Sequence, residues 1–103
     1  MTTVIAERRL LLSIKGQTER KPLVVKIYAP RPVEPGSPLY DPGHETASCR
    51  VEIVGLPNVT VDETYGADTV QALQLASNID PILKRITKDF DLYFPSGEGY
   101  FDE

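Results

Sequence analysis

The clearest secondary-structure signal in the chain lies at residues 66–88, which read GADTVQALQLASNIDPILKRITK. Apolar residues recur there at spacings of three and four, which is the period of one helix face. Asp68 stands where an N-cap is expected, and Gln71 follows three places later, as in a capping box. The spacing therefore predicts a helix with one apolar stripe, formed by Ala72, Leu75, Ala76, Ile79, Ile82, Leu83 and Ile86.

Pro81 interrupts this pattern and leaves two interpretations open. A proline inside a helix removes the hydrogen bond to the carbonyl of Ser77 and crowds that carbonyl, which favours a kink. Alternatively, Asp80 caps a second, short helix with Pro81 at its first position. The pattern alone does not choose between one kinked helix and two helices.

Strands are predicted where apolar and polar residues alternate. In the first of them Leu10, Leu12 and Ile14 share a face, and in a later one Cys49 alternates with Arg50. The predicted strands cover residues 4–14, 23–29, 48–54 and 90–94, with a short one at 59–61. Because a helix that follows antiparallel strands can cover one face of their sheet, we expect an α+β fold. Its antiparallel sheet has four to five strands, and one main helix, with the kink or split at Pro81 left open, packs on one face.

Residues 30–47 differ from the rest in carrying five prolines and two glycines among eighteen residues. Prolines at this density cannot join a central strand and favour extended or turn conformations. We interpret the segment as a Pro-rich loop of the kind that is either mobile or functional. A length of 103 residues leaves no room for two domains, so residues 1–103 are expected to form a single α+β domain.

Charge and composition narrow the classes of function. Residues 1–50 carry eight Lys and Arg against five Asp and Glu, whereas residues 51–103 carry three against ten. Nucleic-acid binding is disfavoured because it needs a concentrated basic patch. We expect no membrane span, since no apolar run approaches about 20 residues. We expect no signal peptide, since charged residues begin after the first six positions. With one cysteine and no internal disulfide, a reducing cytoplasm is the expected location.

Few residues offer chemistry. Cys49 and His44 are five places apart, but Cys49 lies on the apolar face of its strand with Val51 and Ile53, which disfavours a catalytic dyad. One cysteine and one histidine fall short of a zinc ligand set. Asp68 and its acidic neighbours are better explained by helix capping than by cation binding. We therefore predict no catalytic residues, no metal site and no cofactor.

Candidate binding residues are side chains in or beside loops, since Tyr and Phe are enriched in interface cores. The candidates are Tyr40, His44, Tyr65 and Tyr100. Tyr40, inside the Pro-rich loop, is the strongest of them. For Tyr65 and Phe101 the pattern favours a competing interpretation, packing over the helix end or the sheet edge.

Residues 66–76 resemble a family of small bacterial proteins grouped only as a domain of unknown function, through the pattern Gly-x-Asp-x-x-Gln-Ala-Leu. The resemblance extends over most of the chain through the elements Glu7-Arg8, Tyr28-Ala29-Pro30 and Gly99-Tyr100. It implies a strand-rich first half packed by one helix, a bacterial origin, and no catalytic residues to carry over. The chain departs from the family pattern at Pro81 and in the length of its Pro-rich loop. Beside capping the helix, we expect Gln71 to hold the loop before it.

Three functions compete on these observations. The first is a non-catalytic protein-binding module, such as an adaptor or an immunity-like protein, because no catalytic set is evident and the second half is acidic. The second is a small-molecule-binding protein or enzyme with a pocket between helix and sheet. The third is a homodimer formed through an open sheet edge, which is compatible with the first.

Overall fold

The computed structural model describes residues 3–34, 36 and 46–101. Its elements follow the predicted order, with strands first and helices before the last strand. They are β1 (Val4–Ile14), β2 (Lys21–Tyr28), β3 (Arg31–Pro32), β4 (Ala47–Val54), β5 (Thr60–Gly66), α1 (Thr69–Ser77), α2 (Asp80–Ile86) and β6 (Phe90–Tyr93). The predicted α+β fold is confirmed.

All strand pairs in the sheet are antiparallel. β4 pairs with β5 along one edge and with β2 and β3 along the other. Val51 of β4, for example, pairs with Asp62 on one side and with Ile27 on the other. β1 then joins β2 to β6, so the sheet runs β5, β4, β2, β1, β6, with β3 continuing the line of β2 along β4.

The core forms where cross-strand partners put apolar side chains on one face. Leu10 pairs with Leu23, Val25 pairs with Ile53, and all four are buried. The helices cover this face, to which they contribute Ala72, Ala76, Ile79 and Leu83. Leu23 and Leu83 are fully buried, so removing either side chain is expected to cost about 2–5 kcal/mol.

The predicted helix is bent, and its two pieces are α1 and α2. Between them Ile79 donates its backbone N–H to the carbonyl of Ser77 at 2.9 Å, which breaks the helical ladder before Pro81 is reached. Pro81 lies in the first turn of α2, where its missing N–H costs nothing. The proposed capping by Asp80 is wrong, because Ile79 occupies the cap position and Asp80 is already helical.

The helix start is built as predicted. Asp68 accepts a hydrogen bond from the backbone N–H of Gln71 at 2.8 Å, and Gln71 Oε1 accepts one from the N–H of Ala67 at 2.6 Å. The second bond reaches the residue before the cap, so Gln71 does hold the preceding loop. The bond from Gln71 satisfies a backbone donor that the helix leaves unpaired, and the bond from Ala67 satisfies a donor of the segment before it.

Three local expectations need correction. Leu75 is 49 % exposed, and Leu73 packs against the core in its place. Ile14, the last residue of β1, is half exposed. β5 continues from Val61 to Gly66, where the sequence had predicted only loop before the helix.

Candidate binding surface: the open face of the sheet

The side chains that point away from the helices form the other surface of the sheet, which we call the open face. No helix or strand of the described residues packs on it. By strand alternation it carries Arg9, Leu11, Val24, Lys26, Tyr28, Ser48, Arg50, Glu52, Val54, Val61, Glu63, Tyr65 and Tyr93. One solvated face is common in antiparallel sheets, so what matters is which side chains this face presents.

One end of the open face is apolar. Leu11 pairs with Tyr93 in β6, and Val24 pairs with Val54 in β4. Val54 is 37 % exposed and Val61 is 52 % exposed. Val59, which is 64 % exposed, precedes β5 beside them. Exposed apolar side chains grouped on one surface are a typical mark of a protein–protein contact.

The middle of the open face is charged. Lys26 lies between Glu7 on β1 and Glu52 on β4, because it pairs with both across the strands. Tyr28 donates its hydroxyl proton to Glu52 Oε1 at 2.9 Å. This hydrogen bond raises the pKa of Tyr28 above its ordinary value, since an ionised phenol could not donate it. Positive and negative side chains therefore alternate across the middle of the open face.

Arg50 and Glu63 are cross-strand partners on β4 and β5. The Nε atom of Arg50 is buried and has no hydrogen-bond partner among the described residues. Among those residues, no Lys or Arg forms an ion pair with Glu63. Arg50 and Glu63 therefore keep hydrogen-bonding capacity that the described part of the chain does not use.

Beyond this pair, a cavity of about 500 Å³, lined by both polar and apolar residues, opens at the end of the face. Tyr65, 42 % exposed, forms one wall, with Arg31 and Glu34 near the start of the Pro-rich loop. Glu63 lines the cavity too, so the charged middle of the face and the cavity are continuous.

The two outer edges of the sheet differ. On β6, the tail forms a bridge between Tyr93 and Gly99, and Tyr100 donates its backbone N–H to the carbonyl of Leu92 at 2.9 Å. β5 pairs only with β4 among the described residues, so its outer edge carries unpaired backbone groups. Such an edge is a template for another strand.

The two predicted site residues that the structure describes, Tyr65 and Tyr100, lie on different sides of the sheet. Tyr65 lies on the open face, whereas Tyr100 lies on the helix side, where its hydroxyl contacts Arg8 and Asp80 at 2.6 Å each. Burial raises the pKa of the Tyr100 phenol, and its hydrogen bond to Asp80 raises it further. Tyr40 and His44 lie outside the described residues.

The sequence prediction does not include several residues of the open face, because it ends β5 at Val61. The alternating set Val59, Val61, Glu63 and Tyr65 was a usable signal, since it continues the period of two. Arg50 was recognised as a strand residue, but its pairing with Glu63 depends on register and could not be read from the pattern.

Cys49 is buried on the helix face, and its Sγ donates to the carbonyl of Tyr28 at 3.1 Å. Burial raises the pKa of the Cys49 thiol, and the nearby charge of Glu63 raises it further, so the nucleophilic thiolate is disfavoured. Across residues 3–34 and 46–101, no group of three or more His, Cys, Asp and Glu side chains is arranged to hold a metal ion.

A second concave region lies on the helix side, at the end of the sheet where β1 turns into β2. Two cavities of about 300 and 420 Å³ meet there and share Leu56 and Phe90. Ile14 and Ile82 add apolar lining, and an ion pair of 3.9 Å between Arg85 and Asp62 lies at the rim. The three groups with a raised pKa, Tyr28, Cys49 and Tyr100, line neither cavity.

No helix in the described part of the chain has the length and apolar character needed to cross a membrane.

Comparison with known proteins identifies a family for this chain, and that family has no known activity. Neither the curated proteins nor the solved structures contain a match to this chain. A family model does match, over residues 6–86, from the first strand to the end of α2. The predicted membership of a family of unknown function is thereby confirmed. Because the match covers most of the 103 residues, the chain belongs to the family described as a domain of unknown function, DUF6968.

Proposed function

We propose that the protein is a non-catalytic protein-binding module, adaptor- or immunity-like, that docks a partner on the open face. The observation that carries this proposal is the exposed valine corner, Val54, Val59 and Val61, on a sheet face that no described layer covers. An apolar corner beside a charged strip offers both the apolar and the polar contacts that protein interfaces combine.

We propose a non-catalytic function because the groups with a raised pKa lie in different parts of the structure. Enzyme sites tend to gather shifted pKa values in one cleft. Here Tyr28 is on the open face, Cys49 is in the core, and Tyr100 is beside α2. Each shift has a structural cause in a hydrogen bond or in burial, so none of the three needs a reaction to explain it.

The proposal also covers the domain organisation of the protein and its location in the cell. We infer that residues 1–103 act as one α+β domain in a bacterial cytoplasm, where a single buried thiol such as Cys49 stays reduced. Self-association through a sheet edge is the alternative to a foreign partner, and sedimentation of the purified protein distinguishes the two.

The test is affinity capture from a bacterial lysate with quantitative mass spectrometry. Val54→Lys places a charge in the apolar corner and is expected to lower capture of a partner at least tenfold, about 1.4 kcal/mol. Val70→Lys is the matched control, because Val70 is equally apolar and 63 % exposed but lies on α1. Equal capture by all three proteins, or equal loss in both variants, would contradict the proposal.

A second candidate function, binding of a small apolar molecule, is favoured by the two cavities that share Leu56 and Phe90. An apolar cleft with a few polar groups at its rim is the usual form of a ligand site. The dye 8-anilinonaphthalene-1-sulfonate is then expected to bind the wild-type protein and to lose binding in Leu56→Gln. Leu75→Gln is the control, since Leu75 is a half-exposed leucine on α1, and equal dye binding in both variants would count against this candidate.

A further inference from the structure

We propose that the outer edge of β5 captures an extended segment of the partner as an added β-strand, and that this segment carries a Lys or Arg between two apolar residues, each two positions away. The inference rests on the proposed protein-binding function and adds both the place of contact and the chemistry of the partner.

The backbone of β5 is suited to strand addition. Its seven residues pair with β4 one to one, from Ala47 opposite Gly66 to Ile53 opposite Thr60, without a bulge. It contains no proline and no lysine, which are two devices that commonly block an edge. At the opposite edge of the sheet, the tail bonds to the end of β6 through Gly99 and Tyr100. Among the described residues, β5 is unpaired on its outer side along its whole length. The other unpaired sides belong to the two-residue strand β3 and to residues 4–10 of β1, which β6 does not reach.

The side chains of β5 specify what the added strand must carry. On the open face the order is Val61, Glu63, Tyr65, with the two apolar residues exposed. Opposite charges and aromatic or β-branched pairs stabilise adjacent strands when they face each other. A basic residue opposite Glu63, flanked by apolar residues opposite Val61 and Tyr65, satisfies all three positions.

The other side of β5 contributes less specificity, because its side chains are already engaged. Asp62 pairs with Arg85 of α2 at 3.9 Å. Thr64 donates its hydroxyl to backbone carbonyls, with Oγ1 at 3.1 Å from Ala72 O. Recognition is therefore concentrated on the three open-face positions.

A second copy of the chain fits this edge poorly. Two β5 strands paired antiparallel, with Val61 opposite the partner's Tyr65, place Glu63 directly opposite the partner's Glu63. Like charges facing each other across two strands are destabilising. The same carboxylate that disfavours self-pairing attracts a basic residue, so the charge of Glu63 selects a foreign strand over a second copy.

The first experiment uses a fluorescein-labelled peptide, Thr-Val-Thr-Lys-Thr-Val-Thr, capped at both ends, with binding to the full chain read by fluorescence anisotropy. We expect saturable binding, and at least tenfold weaker binding when Glu replaces the central Lys of the peptide. Glu63→Lys is expected to reverse this preference. Glu98→Lys, an equal change of net charge on the exposed tail, is expected to preserve it.

The second experiment tests the backbone contact. Two further peptides carry N-methyl groups on alternate amides, one on the even positions and one on the odd positions. Because a strand pairs through one of its edges only, one N-methylated peptide is expected to lose binding and the other to keep it. Absence of peptide binding, indifference to the sign of the central charge, or equal behaviour of the two N-methylated peptides would overturn the inference.

These outcomes separate the inference from the proposed function. If the peptides fail while capture of a partner still depends on Val54, the open face binds proteins in another way and only the edge inference is wrong. If the peptides fail and capture is insensitive to Val54→Lys, the protein-binding function is wrong as well.

Discussion

Gly66 lacks a side chain because β5 and α1 meet there too closely for one. A Cβ atom at this position would lie 2.5 Å from the backbone nitrogen of Ala72 and 2.9 Å from Cβ of Gln71. The first atom belongs to the backbone of α1 and cannot rotate away. The glycine of the Gly-x-Asp-x-x-Gln-Ala pattern is therefore explained by packing between β5 and α1.

Gly66→Ala is accordingly expected to lower the free energy of unfolding by about 2 kcal/mol, the scale of overpacking in a closed site. Urea denaturation followed by circular dichroism measures it. Gly99→Ala is the control, since its nearest neighbour, the carbonyl oxygen of Phe101, would be 3.6 Å from the new Cβ. Equal effects at the two glycines would show that contact with α1 is not the cause.

Tyr100 attaches the tail to the helix side of the sheet. Its hydroxyl accepts a hydrogen bond from Arg8 and donates one to Asp80, and its ring packs against Phe94 and Phe101 at centroid distances of 5.0 and 4.9 Å. Tyr100→Phe removes both hydrogen bonds and keeps the ring contacts. We expect a loss of about 1 kcal/mol at pH 8, the scale of a typical net hydrogen-bond contribution.

The same residue predicts a pH dependence. The folded-state pKa of Tyr100 is raised above the unfolded value of about 10, so its stabilisation is complete below that pH. It is lost as the pH rises through the folded-state pKa, because the ionised phenol cannot donate to Asp80. The stability difference between wild type and Tyr100→Phe, measured by urea denaturation from pH 8 to 11.5, is therefore expected to shrink at the alkaline end. A constant difference would argue against the Asp80 bond.

At the scale of elements, the start of α1 depends on one side chain that bonds backward along the chain. Gln71→Ala removes the bond from Ala67 N–H to Oε1 and is expected to lower the thermal midpoint by several degrees, equivalent to about 1 kcal/mol. Gln74→Ala is the matched control, because Gln74 is an exposed glutamine on the same helix. If the two variants melt together, the bond to Ala67 contributes nothing measurable.

The bend between α1 and α2 does not depend on Pro81. The backbone has already left the helix at Ile79, and Pro81 lies in the first turn of α2, where no helical bond is lost. Pro81→Ala is thus expected to leave the helix content unchanged by far-ultraviolet circular dichroism. It should destabilise slightly, by about 0.5–1 kcal/mol, because the unfolded chain gains freedom. A clear increase in helix content would mean that the proline causes the bend.

At the scale of the whole molecule, the labelling rate of the Cys49 thiol is expected to measure how often the protein unfolds. It is 1 % exposed in the centre of the sheet, so a thiol reagent reaches it only when the sheet comes apart. We expect labelling by 5,5′-dithiobis(2-nitrobenzoic acid) to be at least a thousandfold slower in the native protein than in urea. The native labelling rate should rise in Gly66→Ala in proportion to its lost stability. Fast native labelling would contradict the burial of this thiol.

Local sequence patterns were sufficient to predict the strands and the helix whose apolar residues recur at a regular spacing. The alternation around Leu10 and Val51 predicted strands and their buried face, and Asp68 with Gln71 predicted the helix start, because such features depend on residues close in the chain. They also predicted the α+β class, since an amphipathic helix after several half-buried strands can bury its apolar stripe against one face of their sheet.

Tertiary contacts were needed for everything that joins distant residues. No local pattern tells that Arg50 faces Glu63, that the tail covers β6 through Gly99, or that β5 is left with an uncovered edge. Strand neighbours are chosen by the packing of the whole sheet, and one residue of register moves every side chain to the other face. The alternation of Val61, Glu63 and Tyr65 is a local pattern, but their place on an unpaired edge is decided by the pairing of the strands.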